Sequence, residues 1–319
     1  MRRRDVLKLA ALSAGAPALR QIAGAQRPIP IIDAHIHLFD PTRPGGVPWP
    51  EKGDLIYKPS LPARYAALSA PLGIVGAIAI ECSPLASDND WLLNVVGRNP
   101  VMVGMVGDLV PGSPSYREDL DRLHANPLFL GIRYGNLWNR DLYADIDKPG
   151  FVDGLKALAQ AGLVMDSANP DPRLIAAILR VTERVPDLRI VIDHLPNATI
   201  PAEMPQREEY WANLRRLAQS PRVYVKLSEI PVRENGKLIT APAYYREKLD
   251  AIWDVFGEDH ILFGSDWPNS DHVATFAETF AIVRAYIDGK TATVREKFCW
   301  KNSIAAYRWK PRRPDQRTL

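Results

Sequence analysis

The chain has 319 residues, of which 46% are hydrophobic and 24% are charged. This composition is ordinary for a globular protein and excludes wholesale disorder, a collagen-like repeat and a coiled coil. The 40 basic residues exceed the 37 acidic ones by three, and the only cysteines, Cys82 and Cys299, could form one bridge but no disulfide framework. A single α/β barrel of about 250 residues fits this length.

The first 25 residues have the features of an export signal. A basic opening and an apolar run over residues 9–19 precede the small-x-small pattern of Ala23–Ala25. The pair Arg3-Arg4 is typical of a twin-arginine signal, and the alternative is a basic amphipathic helix. Cleavage after residue 25 would change the formal charge from +3 to −1, so nothing indicates nucleic-acid binding. We predict a periplasmic protein whose mature part, residues 26–319, contacts no membrane.

Eight short apolar or β-branched runs recur along the rest of the chain. Their starts lie 26 to 43 residues apart, which leaves room for one helix and two loops between successive strands. Parallel strands need such crossovers, so the pattern predicts a (β/α)8 TIM barrel as a single domain. The alternative, an open doubly wound sheet, lacks a Gly-rich dinucleotide motif after its first strand. The predicted strands are Ile31–Ala34, Ile74–Ile80, Val101–Val106, Phe129–Arg133, Leu163–Asp166, Arg189–Asp193, Val223–Leu227 and His260–Gly264.

Helix signals lie between these strands. Asp171 precedes Pro172, which places a capping side chain before a proline in the first turn of a helix. Residues 41–62 are rich in proline and predict an irregular loop over the barrel mouth. The predicted helices with the clearest apolar periodicity are Leu174–Val185, Tyr244–Phe256 and Val273–Ile287.

Ionisable residues stand at the ends of three predicted strands. His35 and His37 alternate along the first strand and therefore share a face, where two imidazoles could bind one divalent ion or be satisfied core histidines. His194 ends the sixth strand, and Asp266 follows the eighth. A carboxylate there could bind a metal, accept a proton from water or cap the next helix. The carboxyl ends of barrel strands meet at one face, so these groups predict a common site.

Three motifs carry a resemblance to a known family. They are Asp-x-His-x-His on the first strand, Asp193-His194 on the sixth and Gly-Ser-Asp-Trp-Pro over residues 264–268. Together they resemble the amidohydrolase superfamily, and more narrowly its lactonase-like group, which opens sugar lactones and pyrone dicarboxylate lactones. The similarity covers roughly residues 30–307.

The resemblance implies a role for each matching residue. His35, His37 and Asp266 match the family's metal ligands, and Asp266 also matches its general base. His194 matches the sixth-strand histidine, which would hydrogen-bond the substrate carbonyl. Arg133 ends the fourth strand and matches an arginine that faces anionic substrates, although a salt bridge beneath the rim is the alternative.

The sequence also departs from the family pattern. Metal-binding members with two ions carry a lysine on the fourth strand and a histidine on the fifth, and neither is present here. The resemblance therefore implies either one divalent ion, zinc or manganese, or a metal-independent site. Asp166 and Asn169 on the fifth strand and Lys226 on the seventh are the remaining candidates for substrate binding. The stem of Lys226 could equally pack along the barrel wall.

These residues predict a hydrolase that opens a lactone or related ester of a small, polar, carboxylated or sugar-derived substrate. Asp266 would activate the water. One alternative is a metal-dependent decarboxylase of the same superfamily, and another is an exported barrel that binds sugars without turnover. The aromatic residues Trp49, Trp138 and Trp267 would either form a wall for stacking a sugar or pack in the core.

Overall fold

The computed structural model describes residues 28–319, so the predicted export signal lies outside the described residues. Eight parallel strands form one sheet in chain order, and a two-stranded antiparallel hairpin, Arg233–Glu234 paired with Lys237–Leu238, follows the seventh. All eight predicted strands are confirmed, with every boundary within two residues of its prediction. The strands are β1 Ile31–Ile36, β2 Ile74–Ile80, β3 Met102–Gly107, β4 Phe129–Arg133, β5 Val164–Ser167, β6 Arg189–Ile192, β7 Val223–Leu227, β8 Arg233–Glu234, β9 Lys237–Leu238 and β10 Ile261–Phe263.

The sheet closes into a barrel where the chain leaving β10 meets β1. Ile36 and Trp267 form a parallel bridge, and the backbone N–H of His37 donates to the carbonyl of Trp267 at 2.7 Å. The N–H of Asp266 donates to the carbonyl of His35 at 2.9 Å. An open doubly wound sheet would leave these edges unpaired, so the predicted (β/α)8 TIM barrel is confirmed. The closing seam runs through three of the predicted site residues.

Helices surround the barrel, and the sequence signals locate several of their ends. The side chain of Asp171 accepts a hydrogen bond from the N–H of Leu174, with Pro172 in the first turn, as predicted. No helix within residues 28–319 is both long enough and apolar enough to cross a membrane. The helices are α1 Pro62–Ser69, α2 Ser87–Arg98, α3 Tyr116–His124, α4 Leu142–Asp145, α5 Phe151–Gln160, α6 Pro172–Arg184, α7 Gln206–Ala218, α8 Pro242–Phe256, α9 Phe276–Ile287, α10 Ala292–Glu296 and α11 Asn302–Tyr307.

The main hydrophobic core fills the space between the strands and the helices. Close approach of neighbouring strands explains one glycine, since a Cβ at Gly131 of β4 would overlap the backbone carbonyl of Val164 on β5. Cys82 and Cys299 are both buried and both free, so they do not form the bridge that their number allowed. Polar side chains are concentrated instead at the carboxyl ends of the strands.

Candidate active site

Three histidines and one aspartate meet at the carboxyl end of the barrel. The Nε2 atoms of His35 and His37 lie 3.3 Å apart. Each also approaches Oδ1 of Asp266, at 3.5 Å from His35 and 3.1 Å from His37. His194 stands slightly farther away, with its Nε2 atom 3.9 Å from the same oxygen. The structure therefore brings together the four residues that the sequence motifs single out.

The spacing of these atoms suits a single divalent ion. Ligand atoms around a tetrahedral ion lie about 3.3 Å apart when each bond is about 2.0 Å long. The three separations among His35, His37 and Asp266 match this value, and Oδ1 of Asp266 is buried with no hydrogen-bond donor among residues 28–319. His37 donates from Nδ1 to the carbonyl of Ile80 at 3.0 Å, which leaves its Nε2 lone pair free to bind a metal.

Burial sets the protonation of the site. Desolvation lowers the pKa of His37 to about 4 and that of His194 to about 3, so both imidazoles are neutral at pH 7. Desolvation also lowers the pKa of His35 well below its ordinary value, with the Lys226 charge adding to the effect. For Asp266, burial raises the pKa to about 7. Neutral imidazoles are metal ligands, and a carboxyl with a pKa near 7 suits a general base.

Two residues of the motifs serve to hold this arrangement. Asp33 is fully buried, and its Oδ1 accepts a hydrogen bond from the N–H of Ser265 at 2.8 Å, which ties β1 to the segment that carries Asp266. A Cβ at Gly264 would lie 2.8 Å from the Cβ of His35, so glycine is needed where β10 ends beside β1. Asp33 of the Asp-x-His-x-His motif and Gly264 of the Gly-Ser-Asp-Trp-Pro motif therefore have structural roles.

Lys226 and Asp166 lie beneath the site rather than in it. Both side chains are fully buried, and Nζ of Lys226 donates to Asp166 at 2.6 Å. The same ammonium lies 2.9 Å from Asp193 and 3.1 Å from Nδ1 of His35, and Tyr307 donates its hydroxyl proton to Asp166 at 2.8 Å. The ammonium is fully buried and paired with two carboxylates, which places Lys226 beneath the predicted substrate-binding position rather than in it. The network instead supports His35 from below.

Arg133 is already engaged by a carboxylate that the sequence reasoning missed. Its Nε donates to Oε1 of Glu81 at 2.7 Å, and its Nη2 donates to the Glu81 carbonyl at 2.6 Å. Trp138 also donates to this carboxylate, at 3.2 Å. Glu81 directly follows β2, and that strand-end position is the signal that could have identified it. The ion pair neutralises the guanidinium that was predicted to hold an anionic substrate.

A cavity of about 200 Å³ opens above these residues. Asn169 lines it, in keeping with its predicted place at the site, and donates from Nδ2 to the carbonyl of Asn136 at 3.1 Å. Trp49 and Trp138 contribute aromatic walls, whereas Trp267 is fully buried and belongs to the core. The lining residues are His37, Trp49, Cys82, Arg133, Leu137, Trp138, Asn169, His194, Glu229, Asp266 and Asn269.

Comparison with known proteins identifies the family. The amidohydrolase family model matches residues 32–309. The chain belongs to the amidohydrolase family. It is 31% identical over 252 residues to an L-fucono-1,5-lactonase from Burkholderia ambifaria, which covers 77% of this chain and 83% of the relative. A second L-fucono-1,5-lactonase, from Burkholderia multivorans, is 23% identical over 292 residues, covering 86% of this chain and 94% of the relative.

A solved structure supports the same assignment for the fold. An amidohydrolase from Burkholderia multivorans with bound zinc superposes with a TM-score of 0.75 at 22% sequence identity, covering 88% of this chain and 99% of that one. The resemblance inferred from three short motifs is thus confirmed at the level of family and fold. The donor set of this amidohydrolase fits a divalent metal ion.

Proposed function

We propose that this amidohydrolase opens the ring of a small, neutral sugar lactone. The observation that carries the proposal is the buried Asp266 carboxylate, whose Oδ1 has no hydrogen-bond donor and lies beside three imidazoles at the cavity. The similarity to two lactonases favours ester hydrolysis over decarboxylation and over sugar binding without turnover.

Asp266 has the properties of the base that activates water. Its other oxygen, Oδ2, accepts a hydrogen bond from Asn269 at 2.7 Å, which holds the carboxylate with Oδ1 directed at the imidazoles. As a water oxygen attacks the lactone carbonyl carbon, one water proton passes to Oδ1. The tetrahedral intermediate then collapses, the ring C–O bond breaks, and the proton returns to the departing ring oxygen. The product is a hydroxy acid.

His194 is placed to stabilise the oxyanion. The Ser228 hydroxyl accepts from the backbone N–H of His194 at 3.2 Å and lies 2.9 Å from Nδ1, and we assign the tautomer in which it donates its own proton to Nδ1. The ring proton therefore resides on Nε2, from which it can be donated to the carbonyl oxygen. When bound to His35, His37 and Asp266, a zinc or manganese ion would supply Lewis acidity to the carbonyl or to the water.

The cavity favours a neutral substrate of monomer size. Its volume of about 200 Å³ is below the range of about 300–1,000 Å³ that is typical of pockets for drug-sized ligands. Glu81 neutralises Arg133, and Glu229 adds a further carboxylate to the lining, so the lining offers a dicarboxylate no uncompensated cationic side chain. The aromatic faces of Trp49 and Trp138 suit the apolar face of a sugar ring.

A lactone screen tests the proposal. Purified mature protein, with zinc or manganese added, should acidify solutions of L-fucono-1,5-lactone or a related aldonolactone faster than 2-pyrone-4,6-dicarboxylate. Asp266→Asn should reduce this rate by about 10²–10⁴-fold, the range for loss of a general base. Elemental analysis of the same sample measures its metal content. No turnover of any aldonolactone, or an Asp266→Asn variant with normal activity, would refute the proposal.

We also propose that residues 1–25 form a twin-arginine export signal and that residues 26–319 form the mature periplasmic domain. The support is the order of basic, apolar and small residues in the sequence. Intact-mass analysis of the periplasmic protein should find an N-terminus near Gln26. Replacing Arg3 and Arg4 together with lysine should retain the full-length chain in the cytoplasm, and normal export of that variant would contradict the proposal.

A further inference from the structure

Four barrel strands lead into a residue with an unusual backbone conformation. Asn169, His194, Glu229 and Asp266 follow β5, β6, β7 and β10, and each has a φ between 50° and 59°. Residues other than glycine adopt this left-handed region at an energetic cost, and such residues cluster at functional sites. All four line the same cavity.

Glu229 is the member of this group that sequence reasoning missed, and glutamate is not among the residues enriched in the left-handed region. Two loops hold its carboxylate. Oε2 accepts a hydrogen bond from Nδ2 of Asn197 at 2.5 Å, and Oε1 accepts one from Nδ2 of Asn269 at 3.2 Å. Asn197 follows β6 and Asn269 follows β10, so the carboxylate is braced from both sides of β7.

These bonds leave acceptor capacity unused. An ionised carboxylate has about four acceptor positions, and the two amides occupy one on each oxygen. The side chain is 23% exposed and lines the cavity, so the remaining positions are accessible from it. Nε2 of His194 is 3.9 Å from Oε1, beyond hydrogen-bond distance. Within the described part of the chain, a second pair of donors is thus left for the ligand to supply.

We propose that Glu229 is a specificity-determining residue that accepts hydrogen bonds from two hydroxyl groups of a polyhydroxylated lactone ring. This inference rests on the proposed function and names the substrate feature that the cavity recognises. A ring without hydroxyl groups would leave these acceptor positions without donors once it displaces water, and a carboxylated ring would be repelled by the like charge. The proposed role is in binding the substrate, so affinity for a hydroxylated ring is the quantity that tests it.

Calorimetric binding of lactams, whose ring amide is far less reactive toward water than a lactone ester, tests the role separately from turnover. The probes are a polyhydroxylated δ-lactam and unsubstituted δ-valerolactam, and the proteins are the wild type, Glu229→Gln and the control Glu209→Gln on the exposed face of α7. We expect Glu229→Gln to weaken binding of the hydroxylated lactam by about 10- to 100-fold, the range for a hydrogen bond to a charged group. Binding of δ-valerolactam and the properties of Glu209→Gln should not change.

Three results would overturn the role of Glu229. They are unchanged affinity of Glu229→Gln for the hydroxylated lactam, an equal loss for both lactams, and a loss of bound zinc that would make Glu229 a metal ligand. Thermal melting verifies that the variant is folded. Turnover measurements separate the two proposals. If the wild-type protein binds the hydroxylated lactam but hydrolyses no lactone, the proposed function is refuted and the role of Glu229 in binding is not. Lactone hydrolysis with KM unaffected by Glu229→Gln refutes the Glu229 role alone.

Discussion

Replacing Asp266 with asparagine should stabilise the metal-free protein while it slows hydrolysis by about 10²–10⁴-fold. The wild-type carboxylate is fully buried, and one of its oxygens has no donor. An asparagine keeps the shape, accepts the hydrogen bond from Asn269 and directs its amide protons at Nε2 of His37, which lies 3.1 Å from the carboxylate oxygen. The substitution therefore removes the buried negative charge of Asp266 and gives Nε2 of His37 a hydrogen-bond donor.

The magnitude follows from the pKa of Asp266, which burial raises from 3.8 to about 7. One pKa unit corresponds to about 1.4 kcal/mol, so ionising this group in the folded state costs up to about 4 kcal/mol at high pH. Local relaxation reduces this limit, and we expect a gain of roughly 2 kcal/mol for Asp266→Asn. For a domain of this size, that gain corresponds to a rise in melting temperature of about 3–4 °C.

The sign of the pH dependence is specific. Below pH 3.8 the carboxyl is protonated in both the folded and the unfolded chain, so it contributes no difference. The folded state binds the proton of Asp266 more tightly than the unfolded state. The free-energy cost of ionising this group in the folded protein therefore grows as the pH rises and reaches its full value above about pH 7. The stability gap between Asp266→Asn and wild type should therefore be larger at pH 8.5 than at pH 5.5.

Urea denaturation in the presence of a chelator measures this gap, with Asp153→Asn as a control because that side chain is 80% exposed. Added zinc should reverse the order, since an ion that binds only the folded wild type stabilises it. A variant that is less stable than wild type at pH 8.5 in chelator, or a gap that does not depend on pH, would refute the reasoning.

Three further substitutions test the surrounding contacts. Ser228→Ala removes the partner that orients His194 and should lower kcat about 5- to 10-fold in the lactone assay, the effect of about one hydrogen bond. Lys226→Met leaves two buried carboxylates without their cation and should lower the free energy of unfolding in urea by about 3–5 kcal/mol. Glu81→Gln unmasks Arg133 and should improve inhibition by a carboxylated lactone about tenfold relative to a neutral one.

Matched controls separate these effects from general damage. Lys237→Met and Glu247→Gln alter exposed side chains and should leave stability and inhibition at wild-type values. Unchanged kcat in Ser228→Ala would exclude the orienting role of the hydroxyl. A Lys226→Met protein as stable as wild type would show that the two carboxylates do not depend on the ammonium, and an unaltered inhibition ratio in Glu81→Gln would show that Arg133 does not face the substrate.

The sequence was sufficient to predict the barrel and to locate the candidate active site at the carboxyl ends of its strands. Apolar runs at regular spacing identified all eight strands, because strand burial on both faces leaves a continuous apolar signal. The alternation of His35 and His37 and the strand-end position of Asp266 then followed from local geometry alone. Their meeting at one face follows from parallel strand order, which requires every carboxyl end to lie on the same side.

Only the tertiary structure decided which of the polar residues face the substrate. Arg133 and Glu81 are 52 residues apart, so no local pattern indicates that one neutralises the other. Lys226 is 60 residues from Asp166, and burial turns it from a candidate substrate contact into a support beneath His35. The role proposed for Glu229 rests on a left-handed backbone conformation and on two amides from different loops. Pairing and burial depend on contacts between distant segments, and periodicity carries no information about them.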